Sequence, residues 1–294
     1  MRRLPREKRA EILAMLVDGN SVSGTVRLSG VSKPTVLRLL VDAGRAAASF
    51  HSRIARNLTC RYVEVDELWT FVQMKQKRAL AEGRNGVGDV YTFTSIDPET
   101  KFAPTWLCGN RNTKTATYFL VDLSRRVPGH FQVSSDAASF YREAAEAAFG
   151  GQVDYAQIFK HRLPREEARN VPKIERIPEV LQGNPDPAHI GTSFVERQNL
   201  TMRSNMRRFT RKSNGFSKRK LNLSCAVALH FLHYNYIRPH GTLTAAAHGK
   251  PTTPAMAMGL LERPMSFLDF IEILEASEDT AADVALRRKD RRVP

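Results

Sequence analysis

The hydrophobic period of this sequence changes once, near Arg61, and that change constrains the fold more than any other feature. Before Arg61, apolar residues recur three and four positions apart, as on one face of a helix. After it, Val63 and Val65 alternate with Glu64 and Asp66, which is typical of a strand. The sequence therefore predicts a helical N-terminal part followed by a domain that contains a sheet.

The first sixty residues predict three short helices. Apolar positions over 6–18 and 22–29 fit two of them, and Gly30 ends the second. Ser32 is a candidate N-cap for the third, which Gly44 is expected to close, with a linker helix after it. Helices joined by a glycine-containing turn are typical of a helix-turn-helix module, which places its last helix in the major groove of DNA.

Three polar residues of the third helix, Lys33, Thr35 and Arg38, lie off its apolar stripe and are candidates for contacts with bases or phosphates. A small three-helix module that does not touch DNA is the alternative. The excess of charge favours DNA, because residues 1–60 hold eleven Lys and Arg against four Asp and Glu.

The middle of the chain predicts a mixed α/β domain. Candidate strands at 91–95, 102–107, 131–134 and 155–159 alternate with helices at 113–126 and 137–149. The proline-containing segment 161–192 is expected to be a long irregular insertion, which in a compact domain is usually functional or mobile. Two further helices are predicted after it, the first capped by Ser193.

Positive charge is concentrated in two segments of the chain. The whole sequence carries 45 Lys and Arg against 30 Asp and Glu, a formal net charge of +15. Besides the N-terminal segment, the stretch from Arg197 to Leu261 has eleven Lys and Arg and no acidic residue. A basic run is often only a solvated helix face, but two such runs indicate a polyanionic partner, namely nucleic acid.

Three acids occupy positions at which α/β sheets expose functional residues. Asp66 is expected to end the first strand, Asp136 follows the fourth, and Glu196 lies in the first turn of the helix after the insertion. Each also has an ordinary explanation: a solvated carboxylate, a helix N-cap, or an acid that complements the helix dipole. Together, beside basic segments, they predict a site for two Mg²⁺ ions, because carboxylates are hard ligands for this cation.

Neighbouring residues offer alternatives to this set. Glu64 shares a strand face with Asp66 but is expected to lie deeper in the strand. Glu67 has the opposite parity and should point to the other face, so Asp66 is the preferred candidate.

Four segments resemble the motifs of DDE transposases. Val63–Trp69 (VEVDELW) and Ser134–Tyr141 (SSDAASFY) resemble the first two acidic motifs, and Gly191–Asn199 (GTSFVERQN) resembles the third. Tyr234–His240 (YNYIRPH) resembles the motif that follows the catalytic helix in many transposases and integrases. The resemblance is closest to bacterial insertion-sequence transposases of the insertion sequence 1 family.

This resemblance implies a ribonuclease-H-like domain that binds two Mg²⁺ or Mn²⁺ ions through Asp66, Asp136 and Glu196. It also implies a basic residue two helical turns after the glutamate, which here is Arg203. Two features depart from the family: no cysteine pair could form the zinc site of some relatives, and 60 positions separate Asp136 from Glu196. The residues expected to contact DNA are Lys33, Thr35, Arg38, Arg197, Arg203, Arg207, Arg208, Arg211, Lys212, Arg238 and His240.

The predicted function is a DNA transposase that binds transposon ends, cleaves them and joins the freed 3′-hydroxyl to target DNA. A homo-oligomer is expected, because two ends must be brought together. The alternatives are a DNA-binding regulator with a non-catalytic domain and a metal-dependent nuclease that does not join strands. Without an apolar run of about 18 residues or a signal peptide, the chain is expected to be cytoplasmic and nucleoid-associated rather than in a membrane.

The predicted domain organisation follows from these elements. It comprises a helix-turn-helix domain at 1–45, a linker at 46–60, a catalytic domain at 61–240 that contains the insertion 161–192, and a C-terminal helical segment with a basic tail at 241–294.

Overall fold

The structure is a computed structural model that describes residues 3–162, 174–210 and 213–290, without the side chains of Arg162, Ile174 and 279–290. The predicted DNA contacts Arg211 and Lys212 therefore lie outside the described residues. The chain forms two compact units. The described parts of Met1–Ile54 and Met202–Pro294 make up the helical unit, and Ala55–Thr201 makes up the sheet unit.

Helices and strands are numbered in chain order. The helices are α1 Arg6–Val17, α2 Val22–Ser29, α3 Lys33–Ile54, α4 Gln76–Ala81, α5 Thr113–Arg126, α6 Ser139–Phe149, α7 Ser193–Asn205, α8 Lys220–Leu232, α9 Gly241–Ala246, α10 Pro254–Ala257 and α11 Phe267–Asp290. The strands are β1 Tyr62–Val72, β2 Gly88–Ile96, β3 Trp106–Gly109, β4 Gln132–Asp136, β5 Asp154–Arg162 and β6 Ile174–Gln182. The boundary between the two units falls within α7. Within the described residues, no helix is both long and apolar enough to cross a lipid bilayer.

The helical unit contains the three predicted N-terminal helices, but α3 is longer than the sequence indicates. It continues through Gly44 to Ile54, so Gly44 does not end it, and residues 46–54 of the predicted linker belong to the same helix. A Cβ at Gly44 would lie 2.3 Å from Cβ of Cys225 on α8. Glycine is required here because the two helices touch at their backbones, so the expectation that it acts as a stop signal was wrong.

The C-terminal residues complete the helical unit. The predicted catalytic domain extended to 240, whereas residues from Met202 onward pack with the N-terminal helices. The α11 helix continues to Asp290, so the described part of the expected basic tail is helical. Arg6 and Arg9 of α1 form ion pairs with Glu275 of α11, which holds the first and last helices together.

The sheet unit is a mixed sheet with helices. Among the described residues it has six strands in the order β3-β2-β1-β4-β5-β6. The first three strands run antiparallel, β4 and β5 run parallel to β1, and β6 is antiparallel to β5. This is the mixed α/β class that the sequence predicts.

One face of this sheet is covered by α5 and α6. Phe93 of β2 packs against Phe119 of α5 and Phe140 of α6, with ring centroids 5.8 and 6.0 Å apart. These rings are part of an apolar core, which includes the fully buried Tyr141 and Val133. A close-packed core of this kind fixes the strand register, and the register in turn fixes where the acidic side chains lie.

The segment 161–192 is not the irregular insertion that its prolines suggested, as far as it is described. Residues 174–182 form β6, which pairs antiparallel with β5 at the edge of the sheet, and Pro178 pairs with Ile158. Proline lacks the backbone N–H that a central strand must donate, but an edge strand tolerates it. Proline content alone therefore gave the wrong prediction for this part of the segment.

Candidate active site

Asp66 and Asp136 are brought together where the parallel pairing of β1 and β4 ends. The last paired residues are Val65 and Ser135, so the next residue on each strand is one of the two acids. Asp136 is also the last residue of β4, whereas β1 continues beyond Asp66 to pair with β2. The sequence suggested that Asp66 terminates its strand, but β1 continues beyond it. Asp66 lies at the point where β1 loses its neighbour on one side.

Glu67 also belongs to this cluster, although the sequence placed it on the other face of the strand. Carboxylate oxygens of Asp66, Glu67 and Asp136 lie within 4.8 Å of one another. The side chain of Glu67 is only 4% exposed and accepts a hydrogen bond from Arg111 Nε at 2.7 Å. Strand parity therefore does not keep the Glu67 carboxylate away from that of Asp66.

Burial and mutual repulsion make this cluster hard to ionise. Burial, and then the charge of Asp136, raise the pKa of Asp66 to about 6. The same two causes raise the pKa of Glu67 to about 7, against the opposing effect of Arg111. Carboxylates with raised pKa values that share one site bind protons or a cation more readily than isolated ones.

The Asp66 carboxylate is oriented by α7. Asn199 donates a hydrogen bond from Nδ2 to Asp66 Oδ2 at 2.8 Å. The amide of Asn199 is fixed in turn, because its Oδ1 accepts a hydrogen bond from Thr94 Oγ1 at 3.2 Å. Thr94 is the residue opposite Asp66 in the register of β2 and β1. A side chain held by such a chain of hydrogen bonds presents its remaining lone pairs in a fixed direction.

Glu196, the third predicted acid, is not part of the cluster within 4.8 Å among the described residues. Its Oε1 lies 2.8 Å from Lys160 Nζ and its Oε2 lies 3.3 Å from Arg176 Nη2. Thr192 also donates a hydrogen bond to its Oε1, at 2.8 Å. Burial favours a higher pKa for Glu196, but the hydrogen bonds from Lys160 and Thr192 outweigh it, and the pKa is lowered overall. The structure therefore brings together two of the three predicted acids.

The donor set of the cluster fits a hard divalent cation. It consists of carboxylate oxygens, which Mg²⁺ and Mn²⁺ prefer. One oxygen of Glu67, Oε2, is buried and has no hydrogen-bond partner among the described residues. A buried carboxylate oxygen without a partner is costly, and a bound cation would satisfy it.

The candidate DNA contacts on α3 lie in the helical unit. Lys33 and Arg38 are exposed, while Thr35 is half-buried and its Oγ1 lies 2.9 Å from Ser32 Oγ. A cavity of about 780 Å³ is lined by residues of α3 and by the basic segment that follows α7. Its cationic lining residues are Lys33, Arg38, Arg207, Arg208, Lys218 and Arg219. The two basic segments of the sequence thus meet around one cavity.

The other candidate DNA contacts occupy different environments. Arg197 and Arg238 are exposed, and Arg203 lies in the last turn of α7. Arg208 is half-buried and donates a hydrogen bond to Ser217 Oγ at 2.9 Å, and burial lowers its pKa to about 10. His240 precedes α9, and its backbone N–H bonds to the carbonyl of Thr252 at 2.9 Å.

Tyr236, within the segment Tyr234–His240, lies in the core of the helical unit. Its side chain is fully buried, and its hydroxyl lies 2.9 Å from Nδ1 of His51 on α3. Its ring packs edge-on against Phe50, with centroids 5.1 Å apart. This part of the motif therefore stabilises packing, whereas Arg238 remains at the surface.

Comparisons with known proteins gave remote structural likenesses. No family model matches the chain, and no curated protein matches it. A chain of the simian T-cell lymphotropic virus intasome in complex with PP2A regulatory subunit B56 gamma is similar at 13% identity, covering 88% of this chain and 77% of that one, with a TM-score of 0.36. The piggyBac transposase synaptic complex with hairpin DNA is similar at 10% identity, covering 91% and 73%, with a TM-score of 0.39. The Mos1 transposase paired-end complex is similar at 15% identity, covering 50% and 58%, with a TM-score of 0.20. At these scores the proposed function has to rest on the site itself.

Sequence reasoning set Glu67 aside and missed four other residues that surround the candidate site: Arg111, Lys160, Arg176 and Asn199. Of these, only Glu67 had a local signal, as a carboxylate adjacent to Asp66. The others are polar residues whose positions depend on strand register and on the packing of α7.

Proposed function

We propose that this protein is a divalent-metal-dependent DNA transposase of the DDE kind, most similar to the insertion sequence 1 family. The observation that carries the proposal is the approach of Asp66 and Asp136 at the end of the β1–β4 pairing, with a buried carboxylate beside them. This arrangement can hold a hard cation where the two central strands of the sheet part, at the ends of parallel strands where α/β sheets bind their ligands.

Asp66 and Asp136 would hold the metal together with a third carboxylate. Glu196 is the acid that the family resemblance assigns to this role, and Glu67 is the one that this structure places nearest. Bound Mg²⁺ or Mn²⁺, with two ions expected, would lower the pKa of an attacking water or 3′-hydroxyl and neutralise charge on the phosphodiester. Asn199 would orient Asp66, and Arg111 would hold Glu67.

DNA binding would be divided between the two units. The cations around the cavity of the helical unit supply a basic surface for transposon ends, and Lys33, Thr35 and Arg38 lie at the start of α3, where a recognition helix contacts bases. Arg197 is exposed on the α7 helix that carries Glu196, so it is available to a DNA phosphate. A homo-oligomer would bring two ends together.

The test is a cleavage and joining assay on the DNA that flanks the protein's own gene, with Mg²⁺ or Mn²⁺. We expect Asp136→Asn to lower cleavage by at least about a hundredfold, because it removes a carboxylate charge from the metal site. Binding to the same DNA in EDTA should stay at the wild-type level. The matched control is Glu143→Gln, which removes an exposed carboxylate on α6 that accepts a 3.2 Å hydrogen bond from Thr113.

Other outcomes identify the alternatives. Wild-type binding without metal-dependent cleavage would favour a DNA-binding regulator, and cleavage without joined products would favour a nuclease. If Asp136→Asn cleaves at the wild-type rate, the proposed metal site is wrong.

A further inference from the structure

Lys160 and Arg176 are positive charges placed directly opposite each other on neighbouring strands. They are register partners in the antiparallel pairing of β5 and β6. Like charges at directly opposite positions destabilise a sheet. Neither side chain is deeply buried, since they are 36% and 52% exposed, so both can approach a ligand from solvent.

An anion between these two cations relieves their repulsion. In this structure the anion is the Glu196 carboxylate. Its Oε1 lies 2.8 Å from Lys160 Nζ, and its Oε2 lies 3.3 Å from Arg176 Nη2. The two carboxylate oxygens therefore occupy the positions that two non-bridging oxygens of a phosphate group would take. Arginine and lysine are the side chains that proteins use most for phosphate.

The cation pair also borders the acidic cluster. The charge of Lys160 lowers the pKa of Asp66, although burial and Asp136 raise it by more. Lys160 lies on β5, the strand next to β4, two residues beyond the partner of Asp136. A phosphate held by this pair would therefore lie beside the carboxylates that are proposed to hold the metal.

We propose that Lys160 and Arg176 form a binding site for a phosphate group of the DNA backbone, and that the Glu196 carboxylate fills this site in the free protein. The ligand class, DNA, rests on the proposed function, while the site itself rests on the paired cations. DNA entering the site displaces Glu196 and leaves its carboxylate free to join Asp66 and Asp136. DNA binding and the assembly of the three acids are then coupled through one exchange of anions.

The experiment measures binding of the full-length protein to a labelled DNA duplex of about 20 base pairs, in EDTA, by fluorescence anisotropy over roughly 50 to 200 mM salt. Lys160→Gln and Arg176→Gln together should lower the slope of log affinity against log salt by about 0.9, which is the contribution of one phosphate. Each single variant should lower the slope by part of this amount and weaken binding about fivefold at 0.1 M salt. The control is Arg142→Gln. Arg142 is 56% exposed and pairs with Glu179 in the same unit, so this variant removes a comparable cation elsewhere.

A second variant separates this site from general charge effects. Glu196→Gln removes the competing anion and should tighten DNA binding about fivefold in the wild-type background. In the Lys160→Gln/Arg176→Gln background the same change should have no effect. Addition of inorganic phosphate at constant ionic strength tests whether the site binds free phosphate instead of a phosphate of the DNA backbone.

Three results would overturn the proposal. The first is a salt dependence of DNA binding in both single variants that equals that of the wild type. The second is a loss of DNA affinity in Arg142→Gln as large as in those variants. The third is an unchanged DNA affinity in Glu196→Gln. If the double variant binds DNA as tightly as the wild type, and millimolar phosphate raises the Tm of the wild type only, the site belongs to free phosphate and not to DNA. Because the assay contains no metal, these failures are separate from failure of the proposed transposase, which is judged by cleavage alone.

Discussion

The buried carboxylate of Glu64 accepts a hydrogen bond from the backbone N–H of Val195 at 2.8 Å, and so joins β1 to the first turn of α7. The first N–H groups of a helix have no partner within the helix, and a negative charge at this end is stabilising. This contact fixes the start of the helix that carries Asn199 relative to the strand that carries Asp66. Glu64 is thus a positioning residue for the site rather than a competitor of Asp66.

Replacement of Glu64 tests this role. We expect Glu64→Ala to destabilise the protein by about 1–3 kcal/mol, because it leaves the N–H of Val195 buried without a partner. Glu64→Gln retains an oxygen acceptor and should cost less. Urea denaturation followed by circular dichroism measures both, and equal costs for the two variants would contradict a role as hydrogen-bond acceptor.

The same residue predicts a pH dependence of stability. Burial raises the pKa of Glu64 to about 7 from an ordinary value of 4.5. A carboxyl group with a raised pKa in the folded state binds its proton more tightly there than in the unfolded chain. The contribution of the Glu64 carboxyl group to the free energy of unfolding is therefore fully present below pH 4.5 and is lost as the pH rises through 7. The free energy of unfolding, measured in urea at several pH values, should fall less steeply in Glu64→Gln than in the wild type between these limits. The surface control Glu143→Gln should follow the wild-type curve.

Features fixed by local sequence could be predicted, and α2 and α5 begin and end where their sequences indicate. Ser21 caps α2 by accepting a hydrogen bond from the N–H of Gly24 at 2.9 Å, and Gly30 ends it with φ +69°. Gly44 has the same local appearance as Gly30 but a different role. Its role is set by Cys225, a residue far along the chain, and no local rule can reveal such a contact.

The candidate site shows the same limit. Asp66 and Asp136 could be selected from the sequence because strand ends are where sheets expose acids. The proximity of Glu67 and the pairing of Glu196 with Lys160 could not, because they depend on where the β4 pairing stops and on the β5–β6 register. Prediction of β6 itself failed because an edge strand tolerates the proline that excludes a central one.

The contact between α3 and α8 gives a prediction about Gly44. In Gly44→Ala the new methyl group would lie 2.3 Å from Cβ and 2.5 Å from the carbonyl oxygen of Cys225, so one helix backbone must shift. We expect a loss of about 1–3 kcal/mol or more in unfolding free energy. Gly24→Ala in α2 is the matched control, because its nearest contact is a side-chain oxygen of Ser21 at 3.2 Å. Helix propensity should make that change neutral or stabilising. Similar urea midpoints for both variants would contradict the close contact.

The hydrogen bond between Tyr236 and His51 predicts that this tyrosine is structural. Tyr236→Phe removes a buried 2.9 Å hydrogen bond and should cost about 1–2 kcal/mol, or a few degrees in Tm. Cleavage activity at 25 °C and Mn²⁺ affinity should stay at the wild-type level, since the ring itself is retained. Loss of cleavage without a fall in Tm would instead assign the hydroxyl to the reaction.

The hydrogen bond from Asn199 to Asp66 predicts an effect on metal binding that is separate from stability. Asn199→Leu has a similar volume but cannot donate to Asp66 Oδ2, so the carboxylate loses the group that orients it. Partners of this kind typically contribute a factor of 10–100 to metal affinity, and we expect Mn²⁺ binding to weaken by about that factor. Calorimetric titration of the full-length protein with Mn²⁺, without DNA, measures this change in affinity directly.

Thr94→Val tests the residue that orients Asn199. It removes the 3.2 Å hydrogen bond that fixes the Asn199 amide, so it should also weaken Mn²⁺ binding, but by a smaller factor. If Asn199→Leu binds Mn²⁺ as tightly as the wild type, Asp66 is held by the backbone of β1 alone, and α7 serves only to carry Glu196.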